Sequence, residues 1–109
     1  MPYFIETYDK PGRQSLRQRV RPAHLQYLEM NKNTLLASGA KLDDAGANAS
    51  GGIYILDTDS RGDAEAFIAA DPFTKAELFK RIEIARWRKA YFDFKCYLSP
   101  SDSSACTSS

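Results

Sequence analysis

What this 109-residue chain has little of narrows its function before any motif is read. It carries one histidine and two cysteines, and 15 lysines and arginines nearly cancel 14 aspartates and glutamates, leaving a formal net charge of +1. So even a balance offers no basic excess for a phosphate backbone or an anionic membrane surface, and nucleic acid is not an expected partner. No apolar run approaches the roughly 20 residues that a membrane span needs, and Met1-Pro2-Tyr3-Phe4 is not a charged segment leading into an apolar stretch, so a cytoplasmic protein is expected. Two cysteines, with Cys106 in a polar tail, provide neither a disulfide framework nor CxxC or zinc spacing. No metal site is expected, and Cys96 reads as a packed or surface thiol. The length suits one hydrophobic core and one domain, residues 1–98.

What is present alternates between strand and helix signals. Tyr3 to Tyr8 is aromatic and β-branched and runs into Asp9-Lys10-Pro11-Gly12, a strand followed by turn chemistry. Leu16, Val20, Leu25 and Leu28 recur at helical spacing between Ser15 and Asn31, but Pro22 lacks an amide donor and restricts Arg21, which predicts a helix broken or restarted there. His24 would then sit in a first turn, beside unpaired amides and the positive end of the dipole. Leu35 to Leu42 predicts a second strand. Asp43 to Gly52, almost wholly Asp, Ala, Gly, Asn and Ser, predicts a flexible connection or lid. Ile53 to Leu56 predicts a short third strand, Asp63 to Ala70 a second helix, and Asp71 an N-cap before Pro72. The alternation from Arg81 to Phe94 predicts a last strand, and Ser-rich 99–109 a disordered tail.

The order β-α-β-β-α-β is that of an α+β, ferredoxin-like fold: one four-stranded antiparallel sheet with both helices on one face. Ile53 and Ile55 would lie on one side of the third strand, Tyr54 and Leu56 on the other. A sheet apolar on both faces needs a second cover, so a homodimer packed sheet against sheet is expected.

Chemistry points to two spots. The only histidine lies in Arg21-Pro22-Ala23-His24-Leu25, and histidine alone trades a proton near neutral pH without a shifted pKa. Ala70-Asp71-Pro72-Phe73 supplies a carboxylate of the kind that orients a catalytic imidazole. These two segments, with the charged end of the first strand and Ala37-Ser38-Gly39, resemble the YCII-related family of small dimeric α/β-barrel proteins over roughly Met1 to Phe94. The run Arg86-Trp87-Arg88-Lys89-Ala90-Tyr91-Phe92 is longer and more basic than the family pattern. The resemblance implies a cofactor-free enzyme in which His24 and Asp71 form a catalytic dyad acting on a small aromatic substrate. From the residues themselves, Arg17 or Arg21 is the candidate to hold a developing phenolate or a departing chloride, since guanidinium stays charged and presents several donors, and Ser38 is a further substrate-binding candidate. The activity that the resemblance most suggests is removal of chloride from chlorohydroxyhydroquinone to give a hydroxybenzoquinone. The alternatives are a cofactor-free isomerase or oxygenase, which would need an oxygen-reactive substrate, and a non-catalytic ligand-binding subunit.

Each residue also has a plainer role open to it. His24 could be a satisfied structural histidine and Asp71 only a cap. Arg13, Arg17, Arg19 and Arg21 read as a solvated basic face rather than an anion site. Tyr27 reads as core, and Tyr54, Trp87, Tyr91 and Phe92 as core or dimer packing.

Overall fold

Strand β1 (Tyr3–Asp9) keeps the period of two that its sequence promises: Tyr3, Ile5 and Thr7 are buried while Phe4 and Glu6 are half-buried on the opposite face. The computed structural model describes residues 1–99, so the expected tail lies outside the described residues except for Ser99. From β1 the chain runs through α1 (Gln14–Met30), a 3-10 turn (Lys32–Thr34), β2 (Leu35–Leu42), β3 (Ala49–Leu56), α2 (Arg61–Ala70), α3 (Pro72–Lys75) and β4 (Phe79–Arg86), ending in a hairpin of β5 (Tyr91–Phe92) and β6 (Lys95–Cys96).

The main sheet has the order β2-β3-β1-β4 with every neighbouring pair antiparallel. This is the ferredoxin-like α+β arrangement expected from the element order. Ile5 lies opposite Tyr54 on one side and Ile84 on the other. The core forms where Tyr3, Ile5, Tyr54 and Leu56 of the sheet meet Ala64, Phe67 and Ile68 of α2. Burying one such side chain contributes about 1.5–3 kcal/mol. Helix α2 starts at Arg61 because the Ser60 side chain accepts from the amide of Asp63, satisfying an amide with no partner inside the helix.

Four expectations are corrected. Helix α1 runs unbroken through Pro22: a proline inside a helix costs one hydrogen bond, and the exposed site of Pro22 lets water serve the orphaned carbonyl. His24 therefore sits deep within α1 rather than in a first turn at the positive pole. The expected lid is not a free loop. Residues 49–52 open β3, where Gly51 pairs with Tyr8 and Lys41 and Gly52 with Thr7 and Ala40, so pairing on both sides overrides weak strand propensity.

What remains of that connection is knotted around Asp43, whose carboxylate accepts from the amides of Ala47 (2.9 Å) and Asn48 (3.4 Å) and from Asn48 Nδ2 (3.0 Å). These bonds hold its pKa below the ordinary aspartate value, the Ala47 amide contributing most. The last strand ends at Arg86, and the aromatic run beyond it folds back as β5–β6 through Asp93 and Phe94, both at positive φ (55° and 64°). Alternation alone cannot tell one long strand from a strand plus hairpin when the turn lacks glycine. Finally, Cys96 is disulfide-bonded, not a thiol. A single bridge needs neither a multi-bridge framework nor CxxC spacing.

Candidate active site

The inward face of α1 is unusual in what it buries: Arg17 and His24, two turns apart, are its only buried residues. Helical periodicity puts them above the same strip of sheet, and that strip, in β2 and β3, is made of Ser38, Gly39, Ala40, Gly52 and Tyr54. Together with Arg21, Leu25, Leu28 and Phe73 they enclose a cavity of about 160 Å³. Small residues on the sheet side leave the space. Leu25 and Leu28 give it an apolar wall.

Asp71 reaches the site from the junction of α2 and α3. Pro72 keeps the residue before it out of the helical basin, and Asp71 is extended (φ −63°, ψ 132°), ending α2 and capping α3. Its carboxylate is fully buried and fully used. Oδ1 accepts from the Phe73 amide at 2.8 Å and Oδ2 from the Tyr54 hydroxyl at 3.0 Å. Both oxygens lie 2.9 Å from His24 Nδ1. A carboxylate already accepting from two donors has only acceptor capacity to offer, so Nδ1 carries the proton and Nε2 is the nitrogen left for a ligand. The imidazole also stacks on Phe73, with centroids 4.0 Å apart and planes 17° off parallel, and meets the Tyr54 ring edge-on at 6.2 Å. His24 is thus held in one orientation by a hydrogen bond and a ring face.

The other named residues separate. Ser38 lies opposite Tyr54 in the register and lines the cavity. Arg17 is not part of a solvated face, which corrects that expectation. Its Nη1 donates to Asp9 Oδ2 at 2.8 Å, its Nη2 to the Gly51 carbonyl at 3.3 Å, and its guanidinium lies 4.8 Å from the Phe73 centroid. Both partners of the Arg17–Asp9 pair are nearly buried. Burial raises the pKa of Asp9, with Arg17 opposing that rise, and Asp9 Oδ1 has no hydrogen-bond partner among the described residues. Arg21 is exposed at the cavity rim. Arg13 and Arg19 are exposed, as a solvated face requires.

Sequence reading missed three members. Asp9 appeared only as the end of a strand, although a bulge between Tyr8 and Asp9 turns its carboxylate toward α1. Tyr54 was assigned to packing, and Phe73 served only as part of a motif. The alternation that put Tyr54 on the same face as Leu56 was the available signal, since a buried phenol needs a hydrogen-bond partner. Tyr27 is packed against the core, as expected, and its hydroxyl donates to the Phe67 carbonyl at 2.7 Å.

Residues 1–88 match the model of the YCII-related domain. Protein YciI of Escherichia coli O6:H1 and of Shigella flexneri are each 29% identical over 98 residues, covering 84% of this chain and 100% of the relative. Among solved structures, the 5-chloro-2-hydroxyhydroquinone dehydrochlorinase TftG of Burkholderia phenoliruptrix AC1100, in complex with 2,5-dihydroxybenzoquinone, superposes with a TM-score of 0.75 at 32% identity. The match covers 81% of this chain and 94% of that one.

Proposed function

The chain belongs to the YCII-related family, and on that footing we propose that it is a cofactor-free enzyme that uses the His24–Asp71 dyad to remove HCl from a chlorinated hydroxyquinol. One observation carries the reading: His24 Nδ1 lies 2.9 Å from both oxygens of a buried carboxylate, in the wall of a cavity of about 160 Å³. A space of that size suits a single substituted ring rather than a nucleotide-sized cofactor. The likeness to a dehydrochlorinase that binds a dihydroxybenzoquinone supports the substrate class.

The chemistry needs one base used twice. Nε2 of His24 takes a hydroxyl proton, and Asp71 stabilises the imidazolium that forms. The imidazolium returns a proton to the chlorine-bearing carbon, which becomes tetrahedral as the ring reaches its keto form. Loss of a second hydroxyl proton to Nε2 then drives chloride out and leaves a hydroxybenzoquinone. The sum is loss of one proton and one chloride, with no net electron transfer. Ser38 would hydrogen-bond a ring hydroxyl. Arg21, exposed at the rim, is the guanidinium available for the departing chloride, because Arg17 already serves Asp9 and Gly51. Arg17 supplies positive charge behind the phenolate.

We further propose a homodimer. Phe4, Ile53 and Ile55 stand half-buried on the sheet face opposite the helices, and a second copy of that face is their natural cover. Light scattering from the eluting protein should give twice the chain mass.

The test of the enzyme is anaerobic chloride release from chlorohydroxyhydroquinone, with the spontaneous rate subtracted. His24→Ala should keep the fold and lose about 100- to 10,000-fold in rate. Wild-type rates in that variant would refute the dyad. No release above background from the wild type would refute the substrate.

A further inference from the structure

We propose that Tyr54 is a positioning residue of the dyad, setting through Asp71 how tightly His24 holds its proton. The inference rests on His24 acting as the base. Asp71 receives three donors: a backbone amide fixed by the turn into α3, the His24 imidazole, and the Tyr54 hydroxyl at 3.0 Å. Of these only the Tyr54 hydroxyl is a side-chain group that competes with His24 for the same carboxylate. Every donor that shares the carboxylate charge leaves less of it to stabilise an imidazolium. Burial and the Asp71 charge both push the Tyr54 phenol far above its ordinary pKa, so its hydroxyl stays a donor throughout any working pH range. Tyr54 also lies at the cavity wall, its ring nearly perpendicular to the His24 imidazole and its backbone opposite Ser38.

The sign is definite. Without the Tyr54 hydroxyl the full charge of Asp71 falls on His24 and the amide, the imidazolium gains stability, and His24 keeps its proton to higher pH. Because the chain has one histidine, its ring nitrogens can be followed by NMR without assignment ambiguity. The experiment compares the full-length wild type, Tyr54→Phe and Thr7→Val. Thr7 Oγ1 accepts from the Gly52 amide at 2.9 Å in the same layer of the sheet and donates to the Gly52 carbonyl at 3.4 Å, and among the described residues it bonds only Gly52, so Thr7→Val reports loosening without touching the carboxylate.

The midpoint of the His24 titration should rise by roughly 0.5–1 pH unit in Tyr54→Phe. Thr7→Val should melt earlier with its midpoint unmoved. An unchanged midpoint in Tyr54→Phe, or an equal shift in Thr7→Val, overturns the inference. Should Tyr54→Phe fail to fold, replacing the tyrosines with 3-fluorotyrosine makes the phenol a stronger donor and should move the midpoint down; a midpoint that stays put or rises overturns the inference as well. Where chloride release is measurable, the acid limb of its pH profile should move with the NMR midpoint. A wild type that releases no chloride sinks the substrate reading alone, since the titration needs no substrate.

Discussion

Replacing Asp71 with alanine tests how much of the fold hangs on one carboxylate. The side chain is fully buried and accepts from the Phe73 amide, the Tyr54 hydroxyl and His24 Nδ1. Loss of the cap alone costs about 1 kcal/mol. Two buried donors left without acceptors cost a further 1–3 kcal/mol each, roughly, less whatever a water in the vacated space recovers. The parts add to about 3–7 kcal/mol, and recovery by water brings this to about 3–5 kcal/mol, a large part of the roughly 5–15 kcal/mol that keeps a domain folded. For a domain of about 100 residues it corresponds to a fall in Tm on the order of 15–30 °C. Asp71→Asn keeps the shape and one carbonyl acceptor but turns the other oxygen into a donor, and should cost about 1–2 kcal/mol. Urea unfolding at neutral pH, followed by circular dichroism and fluorescence, measures both. A loss of about 1 kcal/mol or less in Asp71→Ala would mean that Asp71 is only a cap, and that the bonds to Tyr54 and His24 add nothing.

Three further perturbations reach other parts of the argument. A Cβ at Gly51 would run into the Thr7 carbonyl and lie 2.7 Å from Lys41 Cε, so Gly51→Ala should cost about 2–4 kcal/mol in urea unfolding; a neutral outcome would contradict the close approach of β1 and β3 there. Pro22 sits exposed inside α1, and Pro22→Ala should raise stability by about 1–3 kcal/mol, with a fall in Tm refuting the view that this proline is only tolerated. The Asp43 pKa is lowered in the folded chain. Its stabilising effect on the β2–β3 turn is therefore complete above the ordinary aspartate value and lost as pH falls through the lower folded value. The protection factors of the Ala47 and Asn48 amides, exchange rates taken relative to the free peptide at the same pH, should fall below about pH 4; protection unchanged down to about pH 2 would refute the role given to that carboxylate.

Much of the fold was legible because it rests on short-range rules. β2 matches its expected ends, the helix face of β3 carries Tyr54 and Leu56, and Asp71 caps α3 as the following proline demands. Errors arose where tertiary structure overrode a local preference. Pro22 reads as a breaker, yet packing of Arg17 and His24 under one helix outweighs a single missing hydrogen bond. The glycines at 51 and 52 read as loop, yet two flanking strands pair with them. For the site, residue types and two short motifs named His24 and Asp71. Their meeting at 2.9 Å, the capture of Arg17 by Asp9 and the bond from Tyr54 depend on which strand faces which helix turn, information that spacing along the chain does not contain.

The flat contact between His24 and Phe73 constrains more than orientation. A ring held by its Nδ1 proton on one side and by an aromatic face beneath it cannot turn over to present its other nitrogen, so in the proposed reaction a single atom, Nε2, would serve as base and acid in succession. A substrate lying in the cavity would then lose and regain protons along one edge only. The new hydrogen on the chlorine-bearing carbon would arrive from the same nitrogen that receives both hydroxyl protons, with Arg21 one helical turn from His24 on α1.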